Sequence, residues 1–139
     1  MSRLDQVHRI PRRRIEDARG VFVKALTGME ENLPPQVGEV YIVTTLTGQV
    51  RGNHYHPVTS EWFTVVIGQL VTRYLDPQTG EAREITLDAH AAESLYMPAG
   101  IAHAFKNIGQ ETAVMIAYAD HTYDPADTIA YTVIDETSR

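Results

Sequence analysis

The sequence predicts an all-β domain built as a sandwich or barrel of short strands. Helical periodicity is nearly absent from the 139 residues, whereas short runs rich in Val, Ile, Thr, Tyr and Phe recur between turn residues. Many short strands at regular spacing are typical of sandwiches and barrels. The length and the 43% hydrophobic content suit one globular domain, residues 1–139.

The strand-like runs follow one another along the chain. Gly68 divides the long run EWFTVVIGQLVTRYL into two strands, and DPQTG supplies the Pro and Gly of a hairpin turn. The other predicted strands are EVYIVTTLTG, EAREITL, ESLYMPAG, IAHAFKNIG and ETAVMIAYA. The N-terminal arm, residues 1–35, is less regular, and we expect it to wrap the barrel or a partner subunit.

The composition excludes several classes of protein. The formal net charge of −6 argues against general nucleic-acid binding. The absence of cysteine excludes disulfides and thiolate metal sites. Apolar runs are too short to span a bilayer, and the N-terminus lacks the apolar core of a secretory signal. We therefore expect a soluble, cytoplasmic protein.

One basic cluster departs from the acidic composition: Arg9, Arg12, Arg13 and Arg14 lie close together near the N-terminus. A solvated segment is the favoured interpretation. Contact with an anionic substrate, in the same chain or across a dimer interface, is the alternative.

The stretch RGNHYHPVTSEWF concentrates potential metal ligands. His54 and His56 are two residues apart, so both side chains face the same side of a strand. Glu61 follows a proline, and His103 comes after the PAG turn of a later strand. Three imidazoles and a carboxylate suit Zn, Fe, Mn, Ni or Cu. The residues leave two alternatives open: either they hold a metal, or one imidazole moves a proton.

Both cupin motifs are recognisable at these positions. Gly48 to Gly68 resembles the first motif, which spaces a glycine, a His-x-His pair, a glutamate and a second glycine. The second motif, Pro-x-Gly-x-x-His-x-x-x-Asn, is matched by Pro98, Gly100, His103 and Asn107. Ala92 stands where that motif begins with glycine. The resemblance implies a cupin, a double-stranded β-helix or jelly-roll barrel.

Four further segments resemble one branch, the RmlC-like cupins. DARGVF, RGNHYH, PAGIAHAF and TYDP are similar to segments of dTDP-4-dehydrorhamnose 3,5-epimerases. The C-terminal cupin domain of bifunctional capsular-polysaccharide enzymes is closer still, and sugar 3,4-ketoisomerases share Arg-Gly-x-His-x-His. All three groups act on 4-keto sugars attached to nucleotides. The resemblance therefore implies an epimerase or isomerase acting beside a 4-keto group.

The resemblance also implies roles for individual residues. His54 matches the base that removes the proton beside the keto group. Arg19 and Arg51 match arginines that bind the nucleotide phosphates or the sugar, a task suited to the guanidinium fork. Tyr123, with Tyr118 as a second choice, matches the tyrosine that returns the proton.

The chain departs from the 3,5-epimerases at one informative position. That family has Gln where this chain has His56, and it needs no metal. Here His56 and Glu61 complete a ligand set with His54 and His103, so the metal-bearing capsular domain is the better guide. The resemblance implies a divalent metal, with zinc favoured, that polarises the ketone as a Lewis acid. A metal-bound His54 cannot also accept a proton, so another group, such as Tyr123, would then handle it.

Two other classes of function fit the same residues. A metal-dependent cupin oxygenase or cyclase would need redox-active iron or copper at the four ligands. A non-catalytic sugar-binding cupin would bind without turnover. In each case we expect a homodimer, because exposed sheet edges otherwise invite uncontrolled association.

Overall fold

The strand-rich pattern folds into twelve described strands. The computed structural model describes residues 2–18, 20–34 and 38–136. The strands are β1 His8–Pro11, β2 Ile15–Asp17, β3 Gly20–Phe22, β4 Glu39–Thr45, β5 Val50–Tyr55, β6 Glu61–Ile67, β7 Gln69–Leu75, β8 Ala82–Asp88, β9 Glu93–Met97, β10 Ala102–Lys106, β11 Ala113–Ala119 and β12 Ile129–Ala130. Short 3₁₀ turns occur at Arg3–Gln6, Ala89–Ala91 and Pro125–Asp127.

Two antiparallel five-stranded sheets form the barrel. The first has the order β1-β9-β6-β11-β4, and the second has the order β12-β5-β10-β7-β8. Strands β4 to β7 alternate between the sheets, whereas β7 and β8 form the hairpin that DPQTG predicts. This is the cupin jelly roll, so the predicted fold class and the predicted strands between residues 39 and 119 are confirmed. Within the described residues, no helix has the length and apolar character needed to cross a membrane.

The core lies between the two sheets. Alternate residues of each strand point inward, as the period of two requires. The fully buried side chains include Phe63, Leu70, Leu95, Met97 and Ile101. Burial of this apolar surface is the main term that stabilises the barrel.

The N-terminal arm packs on the barrel itself. Strand β1 pairs with β9 and so extends the first sheet. On the outer face of that sheet, Trp62, Tyr96 and Tyr118 form an aromatic cluster against which Leu26 and Leu33 pack. The arm therefore covers apolar surface that β6, β9 and β11 would otherwise expose.

A bulge shapes β5 just before the histidine pair. His54 pairs with His103, but the next pair joins Gly52 to Ala104, so Asn53 is the extra residue. Gly52 and Asn53 both have positive φ, at 91° and 58°. The Asn53 side chain also donates to Ile134 O and accepts from the backbone N–H groups of Val133 and Ile134. The Gly-Asn pair thus bends β5 and holds the C-terminal segment.

Gly52→Ala is expected to destabilise the fold more than Gly80→Ala does. A Cβ at Gly52 would lie 2.7 Å from the His103 carbonyl oxygen, whereas a Cβ at Gly80 meets nothing within 4 Å. Both glycines have positive φ, which alone costs an alanine about 1 kcal/mol. With the clash added, the free energy of unfolding should fall by about 3 kcal/mol at Gly52. Urea denaturation of both variants measures this, and equal losses would contradict it.

Candidate active site

A cavity of about 320 Å³ opens at one end of the barrel. Its inner wall includes Tyr41 from β4, His54 from β5 and Glu61 from β6. Its rim is formed by Ala119 at the end of β11 and by residues 121–124 after it, with Asp127 and Thr128 beyond them. The two sheets therefore both contribute side chains to one concave site.

The three predicted histidines converge in this region. The ligand atoms of His54, His56 and His103 all lie within 4.8 Å of one another. His54 packs against the other two rings, with centroid separations of 4.7 Å to His56 and 5.0 Å to His103. The register explains the encounter, because His54 and His103 are direct partners on β5 and β10.

Backbone carbonyls orient two of the imidazoles. His56 Nδ1 lies 2.8 Å from the Asp127 carbonyl oxygen, and His103 Nδ1 lies 3.0 Å from the Ile101 carbonyl oxygen. When Nδ1–H donates to a carbonyl, the neutral ring presents its Nε2 lone pair in the other direction. Both Nε2 atoms therefore point toward the centre of the cluster, as they do when histidine binds a metal.

Glu61 is a buried carboxylate that faces these two nitrogens. Its Oε1 lies 3.2 Å from His56 Nε2 and 3.4 Å from His103 Nε2. Its Oε2 accepts a hydrogen bond from the Tyr41 hydroxyl. Oε1 is buried and accepts no hydrogen bond from the residues that the structure describes, so it faces two lone pairs when both imidazoles are neutral. Such an arrangement requires positive charge between the three atoms, either protons or a metal cation.

Burial and neighbouring charge shift the pKa values in opposite directions. Burial, reinforced by positive charge on His103 and His56, lowers the pKa of His54 to about 4. His54 is therefore neutral at pH 7, which is the state of a ligand and also of a base. Burial raises the pKa of Glu61, but His103 and His56, when their Nε2 atoms carry protons, outweigh it and hold that pKa well below its usual range. Burial and the Glu61 carboxylate raise the pKa of Tyr41, which keeps its proton.

These four side chains fit a divalent cation. A tetrahedral zinc site with bonds of about 2.1 Å separates its ligand atoms by about 3.4 Å, close to the Glu61 distances. Three neutral imidazoles and one carboxylate are suitable donors for zinc and for other first-row metals. The unsatisfied Glu61 Oε1 is the atom whose burial such a cation would compensate.

The other predicted site residues do not all lie at the cavity. Tyr123 lies on the rim with 69% of its side chain exposed, whereas Tyr118 is buried in the aromatic cluster on the outer face. Arg51 does not line the cavity, and its guanidinium donates twice to the Thr44 carbonyl oxygen. Arg19 lies outside the described residues. The substrate-binding roles of both arginines stay predictions.

Sequence reasoning missed three contributors to the cavity. Tyr41 reaches Glu61 across the one intervening strand, β11, the Asp127 carbonyl orients His56, and His121 Nδ1 lies 2.6 Å from Asp120 Oδ1 on the rim. The DPAD segment does carry a local signal. An Asp before a proline at the first position favours a capped turn, and Asp124 caps that turn by accepting from Ala126 N.

A family model decides the relationship that these motifs indicate. The model described as the polysaccharide biosynthesis C-terminal domain matches residues 15–131. The chain belongs to this family. The match spans most of the barrel and all four cluster residues, so the resemblance to capsular-polysaccharide domains is confirmed.

The chain is also similar to three named proteins. The chain is 28% identical over 115 residues to the UDP-2-acetamido-2,6-beta-L-arabino-hexul-4-ose reductase of Pseudomonas aeruginosa, covering 83% of this chain and 29% of that protein. The chain thus spans under a third of that relative's length. It is 28% identical to the capsular polysaccharide assembling protein CapF of Staphylococcus aureus, with a TM-score of 0.67, covering 88% of this chain and 35% of that one.

The third similar protein is an epimerase, of which this chain covers about two thirds. NovW, a 4-keto-6-deoxy sugar epimerase from the novobiocin gene cluster of Streptomyces spheroides, is 25% identical. Its TM-score is 0.77, with 88% of this chain and 67% of that chain covered. The predicted resemblance to 4-keto-sugar epimerases is thereby confirmed.

Asp127→Ala is expected to loosen the rim and the orientation of His56. The Asp127 carboxylate accepts from Val58 N, Thr59 N and Thr59 Oγ1. Losing these charge-assisted bonds should lower the free energy of unfolding by about 2–4 kcal/mol. Urea denaturation gives the loss, and NMR of the His56 Nδ1–H reports the ring.

Asp124→Ala is the matched control for that experiment. Asp124 caps the same turn through one exposed hydrogen bond to Ala126 N. Its loss should cost about 1 kcal/mol and leave the His56 signal in place. If both variants lost the signal equally, Asp127 would have no specific role.

Proposed function

We propose that the protein is an epimerase or isomerase that acts beside the 4-keto group of a nucleotide-linked deoxysugar in polysaccharide or glycoside biosynthesis. The observation that carries the proposal is the convergence of His54, His56 and His103, with Glu61 against two of them, beside a cavity that has Tyr123 on its rim. Family membership and the likeness to NovW support it.

A divalent metal, zinc by preference, belongs to this proposal. His54, His56, His103 and Glu61 would hold it, and when bound it would supply Lewis-acid polarisation of the 4-keto oxygen. Tyr41 and the two backbone carbonyls position these ligands, as described above. The cavity side chains also limit access of water to the cluster, because Glu61 and His103 are almost fully buried.

In that case, groups outside the cluster must remove and return the proton beside the ketone. The carbon beside the ketone loses a proton only when the developing enolate is stabilised. Tyr123 is the predicted proton donor on the rim. His121, whose Nδ1 lies 2.6 Å from Asp120 Oδ1, also lines the cavity and is the candidate proton acceptor outside the cluster. If the cluster binds no metal, His54 takes the role of base.

The proposed substrate is a nucleotide sugar that enters the cavity from the rim. The protein itself is proposed to be cytoplasmic. A cavity of about 320 Å³ accommodates one hexose more readily than a whole nucleotide sugar. The nucleotide would therefore extend over the rim, where residues 121–124 are exposed. Arg19 and Arg51 remain the predicted phosphate ligands.

A homodimer is also part of the proposal. Strand β4 ends the first sheet, and its outward side chains Val40 and Ile42 are 60% and 70% exposed. Ile116 pairs directly with Ile42 and continues the apolar surface onto β11. An apolar strand at the edge of a sheet invites association, and a second copy would cover this surface.

Metal analysis of the purified, tag-free protein tests the cluster. We expect about one zinc per chain by mass spectrometry, and loss of at least tenfold in affinity in Glu61→Gln, which keeps the shape but removes the charge. Glu84→Gln, an exposed residue of β8, is the control. Iron or copper would favour the oxygenase or cyclase, and a metal-free protein even after reconstitution would overturn the metal site.

Exchange with solvent deuterium tests the reaction. With UDP- and dTDP-linked 4-keto-6-deoxyhexoses in D₂O, mass spectrometry should show deuterium beside the ketone. Tyr123→Phe should slow formation of the inverted or isomerised sugar by about 100-fold, whereas Tyr131→Phe, outside the cavity, should not. Absence of exchange with every substrate would refute the proposed reaction, and tight binding without turnover would favour the binding module.

Light scattering at micromolar concentration tests the dimer. The wild type should have the mass of two chains, and Ile42→Lys should shift it toward one chain because a charge is costly to bury. Val58→Lys, an equally drastic change at an exposed site away from β4, should leave the mass unchanged. A monomeric wild type would contradict the prediction.

A further inference from the structure

Tyr41 is a half-buried phenol on β4 that lines the cavity beside the histidine cluster. Its hydroxyl donates to Glu61 Oε2, although β11 lies between β4 and β6 in the first sheet. The residues of β11 that face inward at this level are Ala117 and Ala119, and both are buried. Because alanine carries only a methyl group, this strand leaves room for the Tyr41 ring to reach the carboxylate.

The two oxygens of Glu61 therefore have different surroundings. Oε2 is bound by the Tyr41 hydroxyl. Oε1 lies 3.2 Å from His56 Nε2 and 3.4 Å from His103 Nε2, and it accepts no hydrogen bond from the described residues. A phenol has one proton to donate, so Tyr41 holds one of the two oxygens and leaves the other for a cation.

This division affects the number of ligands that the cluster can supply. A carboxylate binds a metal ion through one oxygen or through both. The three imidazoles and one oxygen of Glu61 provide four donor atoms, and the second oxygen would be a fifth. Zinc holds four ligands in closed sites and takes a fifth only in some catalytic states. A Glu61 that used both oxygens would therefore fill the position that a substrate oxygen needs.

We propose that Tyr41 restricts Glu61 to one metal-binding oxygen and so keeps a coordination position open for the 4-keto oxygen of the substrate. The inference rests on the proposed function, because it concerns the metal site described there. Tyr41 is thus a positioning residue that acts on the substrate through Glu61. Carboxylates that bind metals are commonly held in this way by hydrogen-bond donors outside the ligand set.

Tyr41→Phe removes the hydroxyl and keeps the ring. Glu61 is almost fully buried, so its Oε2 loses a donor that water does not readily replace, and an unsatisfied buried acceptor is unfavourable. Turning Oε2 toward the bound cation satisfies it. The variant should therefore bind metal through both oxygens of Glu61 and lose the open position.

Cobalt(II), titrated into the metal-free protein, is the probe for this change. It suits the same nitrogen and oxygen donors as zinc, and its visible absorption weakens as its number of ligands rises. Azide, a small anion that binds cobalt at an open position, is then added. In Tyr41→Phe the cobalt absorption should be weaker than in the wild type, and the azide affinity should fall by about tenfold or more.

Tyr96→Phe is the matched control, because it removes the hydroxyl of a buried tyrosine on the outer face of the same sheet. It should change the azide affinity by less than about twofold. A double variant shows whether Tyr41 acts through Glu61. In a Glu61→Gln background at saturating cobalt, Tyr41→Phe should leave the azide affinity unchanged, because an amide has a single oxygen. Circular dichroism verifies that each variant is folded.

Infrared difference spectra of the zinc-loaded and metal-free wild type test the inference without any variant. Widely separated carboxylate stretching bands are expected for binding through one oxygen, and closely spaced bands for binding through two would overturn it. No cobalt binding by the wild type would overturn the metal site and this inference together. Cobalt binding with equal azide affinity in wild type and Tyr41→Phe would overturn this inference alone, as would an equal loss in Tyr96→Phe. No sugar enters these measurements, so they do not depend on the proposed reaction.

Discussion

The buried Glu61 carboxylate is the constraint on which the rest of the site depends. An ionised carboxylate inside an apolar barrel is strongly unfavourable unless other groups compensate its charge. Here the compensation comes from Tyr41 on β4, His56 beyond β5 and His103 on β10. Because β4 and β6 belong to one sheet and β5 and β10 to the other, this one carboxylate couples the two sheets at the open end of the barrel.

The backbone around His54 serves the same constraint. Gly52 approaches the His103 carbonyl so closely that no Cβ fits, which sets β10 tight against β5. Asn53, the bulged residue, accepts hydrogen bonds from the backbone of residues 133 and 134. The segment that precedes residue 133 contains Asp127, whose carbonyl orients His56. Fold and site are therefore not separable here, because the residues that bend the strand also hold the loop that positions a ligand.

Local pattern accounts for what could be predicted from the sequence, and distance along the chain accounts for most of what could not. The alternation of apolar residues defines the strands from β4 to β11, and the motif spacing brings His54, His56, Glu61 and His103 together. No local pattern relates Tyr41 to Glu61 or Arg12 to Glu30, since these contacts depend on strand order and on the path of the arm. The direction of Arg51 was equally inaccessible, because the bulge at Asn53 separates it from the histidine pair.

The same geometry distinguishes the three histidines from one another. His56 and His103 each have one ring nitrogen fixed by a backbone carbonyl, which leaves a single orientation and a single free lone pair. Within the described part of the chain, no hydrogen bond fixes the His54 ring, which is held by packing against its two neighbours. A ring whose tautomer is not fixed can use its lone pair either to bind a cation or to accept a proton. Whether His54 acts as a ligand or as a base therefore depends on how the positive charge required beside His56 and Glu61 is supplied. If a metal cation supplies it, the His54 lone pair faces that cation. If protons supply it, the His54 lone pair stays free to accept a proton.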